Sequence, residues 1–228
     1  MSFEEQAQKA YWEADKSRRR SPDHPAVQAL FEPRSEYLAS LVVEAKKASV
    51  VDVGCGNGFL TRRLEERFGR TVGVDYSKAM LSLNPCRETV CASATELPFA
   101  DDEFDVAVES HLLHHLIPSD RLRVVQEMAR VARRAVVLYE PNRNNPLMYV
   151  FGLLKREERM SLCFSPRYLK GLATEAGFLG VDVQVEGLIV PNKAPKWWVP
   201  FAVALNKSTL RHCGFYTRVV ARQREEAK

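Results

Sequence analysis

Asp52 and three alternating glycines stand together in Val50-Val51-Asp52-Val53-Gly54-Cys55-Gly56-Asn57-Gly58-Phe59-Leu60. Such a run lets a ligand approach bare backbone, because glycine accepts positive φ and carries no side chain. A second acid, Asp75, closes Thr71-Val72-Gly73-Val74-Asp75. A carboxylate about twenty residues past a glycine turn can accept two hydrogen bonds from a ribose hydroxyl pair. The GxGxG spacing differs from the GxGxxG of a dinucleotide site, and Asp52 would repel a pyrophosphate while attracting a cation. A nucleotide-like ligand bearing positive charge fits these acids better than NAD does. Further on, Glu109 and His111 follow a fourth strand-like run and Glu140 ends a fifth. His111 is the first choice for a general base, since imidazole titrates near neutrality, with Glu140 as a second candidate. Glu109 suits ligand binding better than catalysis.

These residues need strands to carry them. Valines 50, 51 and 53 suit a strand buried on both faces, and Leu60, Leu64 and Phe68 recur as on a buried helical face. Further strands are expected near 49–53, 71–75, 88–92, 104–109 and 134–140, with helices near 58–68, 77–83 and 119–132; Ser77 and Ser119 are placed to start the last two. This alternation predicts an α/β protein with a doubly wound, mostly parallel sheet and right-handed crossovers. Ligands of such sheets sit at the C-terminal strand ends. Asp52, Asp75, Ser93, Glu109 and Glu140 are thereby expected around one mouth. Ahead of the sheet lie a polar helix over 3–20 and an amphipathic one over 33–47 presenting Tyr37, Leu38, Leu41 and Val42. Beyond Pro141 come a turn-rich loop, an apolar helix over 147–154, and a helix begun by Ser165-Pro166 and stopped by Gly177.

At 228 residues and 46% hydrophobic, the chain suits one domain: a helical cap over 1–48, a ligand-binding core over 49–140, and substrate-side insertions with the final strands over 141–228. The start is polar and acidic, with no apolar signal region, and no apolar run approaches the ~18 residues that span a bilayer. Five scattered cysteines read as reduced thiols in a cytosolic protein, and no cysteine or histidine spacing suits a metal.

The motifs in order resemble class I S-adenosylmethionine-dependent methyltransferases, in particular the small-molecule branch with the ubiquinone and menaquinone enzymes. Asp52 to Gly58 looks like the first motif of that family, Gly73-Val74-Asp75-Tyr76-Ser77 like the second, and Ala92 to Phe99 with Phe104 to Ala107 like the third and fourth; His114-His115-Leu116 matches a signature of the branch. The resemblance covers roughly residues 50–140. It implies a Rossmann-like fold with helices on both faces and an antiparallel last strand, runs 179–189 and 215–223 closing the sheet as a hairpin pair. It implies S-adenosylmethionine as cofactor, S-adenosylhomocysteine as product and no metal. Asp52, Gly54, Cys55, Gly56, Asp75, Tyr76, Ser93, Ala94 and Glu109 would bind the cofactor. Ser93 departs from the family, which carries Asp before this alanine to accept from the adenine amino group; an uncharged hydroxyl weakens that bond by about 1 kcal/mol. The implied function is methyl transfer to a small-molecule or lipid-like acceptor, oxygen ranking before carbon. A catalytically idle S-adenosylmethionine-binding or partner protein is the alternative.

The acceptor side is less defined. Tyr11 and Trp12 could close over the cleft as a lid, and Asn142, Arg143 and Asn145 could face a polar substrate. From Lys193 to Arg222 there is no acid and there are six cations, which leaves 27 Lys and Arg against 29 Asp and Glu elsewhere. The same stretch holds Trp197-Trp198-Val199-Pro200-Phe201, an apolar run suited to a membrane interface beside cations. An amphiphilic substrate and peripheral contact with the inner membrane face are the expectation; an apolar cover that includes Trp197 or a homodimer face is the competing one. Nucleic acid is discounted, because the fourth strand ends in Glu-Ser-His-Leu rather than the Pro-Pro-aromatic motif of DNA amino-methylating enzymes.

Overall fold

The computed structural model describes residues 10, 12–14, 19–190, 193–206 and 214–222. Seven strands form one sheet: β1 (Ser49–Val53), β2 (Arg70–Asp75), β3 (Thr89–Cys91), β4 (Phe104–Ser110), β5 (Ala132–Pro141), β6 (Gly180–Glu186) and β7 (Tyr216–Arg222). Their order is β3-β2-β1-β4-β5-β7-β6. The first five run parallel, whereas β7 is antiparallel to both β5 and β6, with Leu138 opposite Val219 and Val183 opposite Val219. The expected Rossmann-like architecture is present, closing hairpin pair included. Strand order reverses between β1 and β4, the position at which doubly wound sheets open a ligand crevice.

Successive side chains on a strand face opposite ways. Val51 and Val53 of β1 therefore join one core layer with Val124 and Met128 of the helix α4 (Pro118–Val131), whereas Val50 joins the other with Leu30, Phe31 and Leu38 of α1 (Pro25–Ala39). Fully buried valines on both layers explain the near-continuous apolar strands.

Helix ends differ in places from the sequence pattern. The helix expected over 33–47 is α1, which begins at Pro25, with His24 Nδ1 accepting from the Ala26 amide 3.1 Å away, and stops at Ala39. Pro33 lies inside it, and its start is set by the cap and by Pro25 in the first turn. The helix expected over 58–68 is regular only over α2 (Thr61–Glu65), because the glycine turn extends to Leu60. Helix α3 (Lys78–Leu81) is capped by Ser77 as expected, Oγ accepting from the Met80 amide. Ser119 caps nothing: α4 starts one residue earlier, with Pro118 in its first turn. Three more helices follow, α5 (Pro146–Leu154), α6 (Pro166–Glu175) and α7 (Val199–Asn206).

Candidate active site

A cavity of about 250 Å³ opens at the C-terminal strand ends, lined by Gly54, Val74, Asp75, Tyr76, Ala92, Ser93, Ala94, Thr95, Leu112, Leu116 and Asp120. Five of the residues expected to bind a cofactor line it: Gly54, Asp75, Tyr76, Ser93 and Ala94. The glycine turn is stitched to β2, the Gly54 and Cys55 amides donating to the Val74 carbonyl at 2.7 and 2.9 Å. Asp75 closes the loop from its other side, accepting from the Gly56 amide (2.9 Å) and the Ser77 amide (2.8 Å). Each carboxylate oxygen keeps a further lone pair for a ligand. Gly54 has φ +75°, and a Cβ there would stand 2.9 Å from Leu112 Cδ1, so the turn closes onto Leu112 only with glycine.

Asp52 and Cys55 do not line the cavity. Asp52 is buried beneath the turn, where it accepts from Thr61 Oγ1 at 2.6 Å, and burial pushes its carboxyl up to about 7. The Cys55 side chain packs toward Gly73, whose added Cβ would lie 2.8 Å from Sγ, and burial drives its thiol well above the usual range.

Glu109 and Glu140 were expected at the mouth, and both are instead turned inward and fully buried. Glu109 accepts from the Leu112 amide (3.0 Å) and the Tyr139 amide (3.1 Å); burial, then Glu140 beside it, raises its carboxyl well above the ordinary range. Glu140 accepts from the Leu113 amide at 2.6 Å and meets His114 Nδ1 at 2.5 Å. The physical reason for their inward turn is the tight bend after β4, whose amides have no strand partner and are taken by these carboxylates.

His111 sits in that bend, half-buried, with φ +65°. Arg34 of α1 places Nη1 3.2 Å from His111 Nε2 and 2.9 Å from Ser110 Oγ, and Nε 3.0 Å from Glu186. Its guanidinium packs 4.3 Å from the Tyr139 ring centroid and 4.9 Å from that of Tyr216. Burial, then the Arg34 charge, holds His111 well below its usual range. A ring nitrogen facing a guanidinium is an acceptor, so the proton of neutral His111 resides on Nδ1. The residue expected as a base thus presents an N–H.

Of the residues expected on the acceptor side, Tyr11 lies outside the described residues. Trp12 is placed over the turn: its carbonyl accepts from Ser77 Oγ at 3.0 Å and its ring meets His115 edge-on at 4.9 Å. Asn142 and Asn145 are used by the backbone. Asn142 donates to the Gly214 carbonyl and accepts from the Asn144 amide, and Asn145 caps α5 by accepting from the Leu147 and Met148 amides. Trp197 is 70% exposed, away from the cavity lining. Val74, Ala92, Thr95, Leu112, Leu116 and Asp120 were not anticipated as lining residues. Asp120 had one usable signal, an acid in the first turn of a helix that follows a strand end.

A family model described as a methyltransferase domain matches residues 51–139. That span holds the glycine turn, Asp75 and the Ser93-Ala94 wall of the cavity, and over it the chain is similar to methyltransferases. Among curated proteins it is similar to the chloroplastic 2-phytyl-1,4-β-naphthoquinone methyltransferase of Arabidopsis thaliana, 30% identical over 59% of this chain and 66% of that one. It is also similar to the demethylmenaquinone methyltransferase of Corynebacterium urealyticum, 32% identical over 49% of this chain and 48% of that one. The chain thus spans about half to just under two thirds of the length of these relatives. Among solved structures, a SAM-dependent methyltransferase from Archaeoglobus fulgidus superposes with a TM-score of 0.61 at 20% identity, covering 84% of this chain and 94% of that one. One from Aquifex aeolicus gives 0.58 at 17%, covering 97% and 98%.

The residues present fit S-adenosylmethionine. Asp75 offers paired acceptors to a ribose diol, Ser93, Ala94 and the Tyr76 ring border the same cavity, and Asp75, joined by Asp52 beneath the turn where that acid ionises above about pH 7, sets a negative field suited to a sulfonium.

Proposed function

We propose that this protein transfers a methyl group from S-adenosylmethionine to the ring of an amphiphilic, reduced quinone-like acceptor. The cofactor supplies an electrophilic methyl, so the chain has to align the acceptor, exclude water and manage one proton. Asp75 holds the ribose, Tyr76 and Ser93-Ala94 frame the adenine, and Trp12 closes the N-terminal side. The acceptor binds as its phenolate, the hydroxyl proton having passed to solvent, and His111 donates Nδ1–H to the anionic ring oxygen; methylation at carbon would release the ring C–H proton to solvent afterwards. Ionisation activates both the oxygen expected from the sequence and the ring carbon beside it, and the isolated product distinguishes them.

The observation that carries this reading is the Arg34–His111 contact, which holds an uncharged donor one residue from the pocket-lining Leu112. The naphthoquinone and menaquinone relatives support the acceptor class. So does surface chemistry: Leu147 and Leu154 of α5 are 68% and 77% exposed, and Phe201 of α7 is 60% exposed. No helix among the described residues is long and apolar enough to cross a membrane. These side chains suit shallow contact with the cytosolic membrane surface where such an acceptor resides.

The test is incubation with methyl-labelled S-adenosylmethionine and a reduced short-chain prenyl-naphthoquinone. Label in the extracted quinone, absent with Asp75→Ala, is the expected result. Cofactor binding without transfer to any quinol would instead support the idle, cofactor-binding alternative.

A further inference from the structure

Methyl transfer as described leaves one largely enclosed cluster without a task, His114 buried and His115 and Glu158 half-buried. His114, His115 and Glu158 each offer a ligand atom, and the three atoms lie within 4.8 Å of one another. His114 Nε2 stands 3.3 Å from Glu158 Oε2, while its Nδ1 is held by Glu140 at 2.5 Å. The two imidazole rings lie 3.9 Å apart, centroid to centroid. His115 Nδ1 is buried and has no hydrogen-bond partner among the described residues. A buried nitrogen left unmet is destabilising, and a ligand that it binds removes that cost. A proton shared along Glu140, His114 and Glu158 satisfies those three groups and does nothing for His115. A metal ion would use all of them.

We propose that His114 Nε2, His115 Nδ1 and the Glu158 carboxylate bind a divalent transition-metal ion, with Glu140 orienting His114 from behind. Two imidazoles and one carboxylate are a donor set that zinc and its neighbours accept, with a fourth position left to water. A carboxylate on the second nitrogen of a ligating histidine fixes the tautomer that bares the first. Sequence spacing hides the site, because Glu158 arrives from the 3-10 helix Arg156–Cys163, far along the chain, which packs on the bend after β4. That bend carries Leu112 and Leu116 of the cavity wall, so a bound ion would fix the wall to the Arg156–Cys163 stretch. The inference goes beyond the methyl-transfer reading and does not depend on it.

The test uses the full chain, free of any affinity tag and stripped with a chelator, titrated with Co²⁺ and followed by visible absorption, then with Zn²⁺ by calorimetry. Intense d–d bands saturating at one ion per chain are expected. His115→Ala and Glu158→Gln should each weaken binding at least ~10-fold, and Glu140→Gln roughly 10- to 100-fold. Glu158 is partly exposed, so Glu158→Gln keeps the test valid if His115→Ala does not fold. Absence of d–d bands overturns the proposal. So does a thiolate-to-cobalt charge-transfer band, which would assign the ion to cysteine, or binding indifferent to both ligand substitutions.

Discussion

Arg34 Nη1 lies 3.2 Å from His111 Nε2, a contact spanning 77 positions of sequence that ties the cap helix α1 to the bend closing β4. It fixes the protonation of His111 as well as its position. Burial and the guanidinium charge both disfavour imidazolium, so His111 enters the site neutral. Because its folded pKa lies below the unfolded value of about 6.5, the stability it contributes is full above that value and is lost as pH falls from there through the lower folded value. Proton-coupled NMR of the His111 ring should show the Nδ1–H tautomer at pH 7; the opposite tautomer would restore the general-base role.

His111→Gly separates catalysis from folding. Glycine accepts the positive φ at this position and brings no side-chain donor, so the bend should persist. Turnover should fall about 100-fold or more, as on loss of a hydrogen-bond donor to a developing anion, with cofactor affinity unchanged. Steady-state kinetics beside calorimetry checks this.

Arg34→Met should cost about 1–3 kcal/mol of stability, because it removes the buried guanidinium's contacts with Ser110, His111 and Glu186, while Glu186 keeps Arg218. Urea unfolding measures the loss, and the same variant should raise the pKa of His111.

Asp52 links stability to pH in the other direction. Its folded pKa of about 7 lies above the unfolded value, so the protonated acid is favoured in the folded state. The associated stability is full below pH ~4 and is lost as pH rises through about 7, by on the order of 4 kcal/mol. Asp52→Asn can still accept from Thr61, and it should flatten this dependence and raise the melting temperature at pH 8. Cofactor affinity should drop in the same variant, since the charge that attracts the sulfonium is gone. Thermal scans from pH 5 to 8 with and without S-adenosylmethionine read both effects.

How much of this was legible in the sequence follows from where each contact originates. Gly54, Asp75, Tyr76, Ser93 and Ala94 stand at or just past strand ends and border the cavity; turn chemistry and spacing point to Gly54 and Asp75, and the family resemblance points to Tyr76, Ser93 and Ala94. Glu109 and Glu140 stand at strand ends too, but their direction depends on which amides lack partners in the bend after β4, and periodicity carries no such information. Arg34 belongs to a helix whose start the sequence pattern misplaced, because the cap at His24 and Pro25 outweighs the apolar stripe near Tyr37. Asn142 and Asn145 looked available and are spent on their own loop, a common fate of asparagine in turns.

Membrane contact has its own test. Trp197→Ala combined with Phe201→Ala should reduce binding to anionic vesicles, and raised salt should weaken what remains, since nearby Lys193 and Lys196 are exposed. Vesicle sedimentation unaffected by the double substitution would assign these side chains to another surface.

Asp75 shapes the glycine turn and faces the cavity at once. Calorimetric titration of S-adenosylmethionine into the wild-type chain and into Asp75→Ala measures its part in cofactor binding. Micromolar binding to the former, weakened about 100-fold or more in the latter while the fold persists by circular dichroism, is the predicted result. Equal affinity in both chains, or no binding to either, would contradict it.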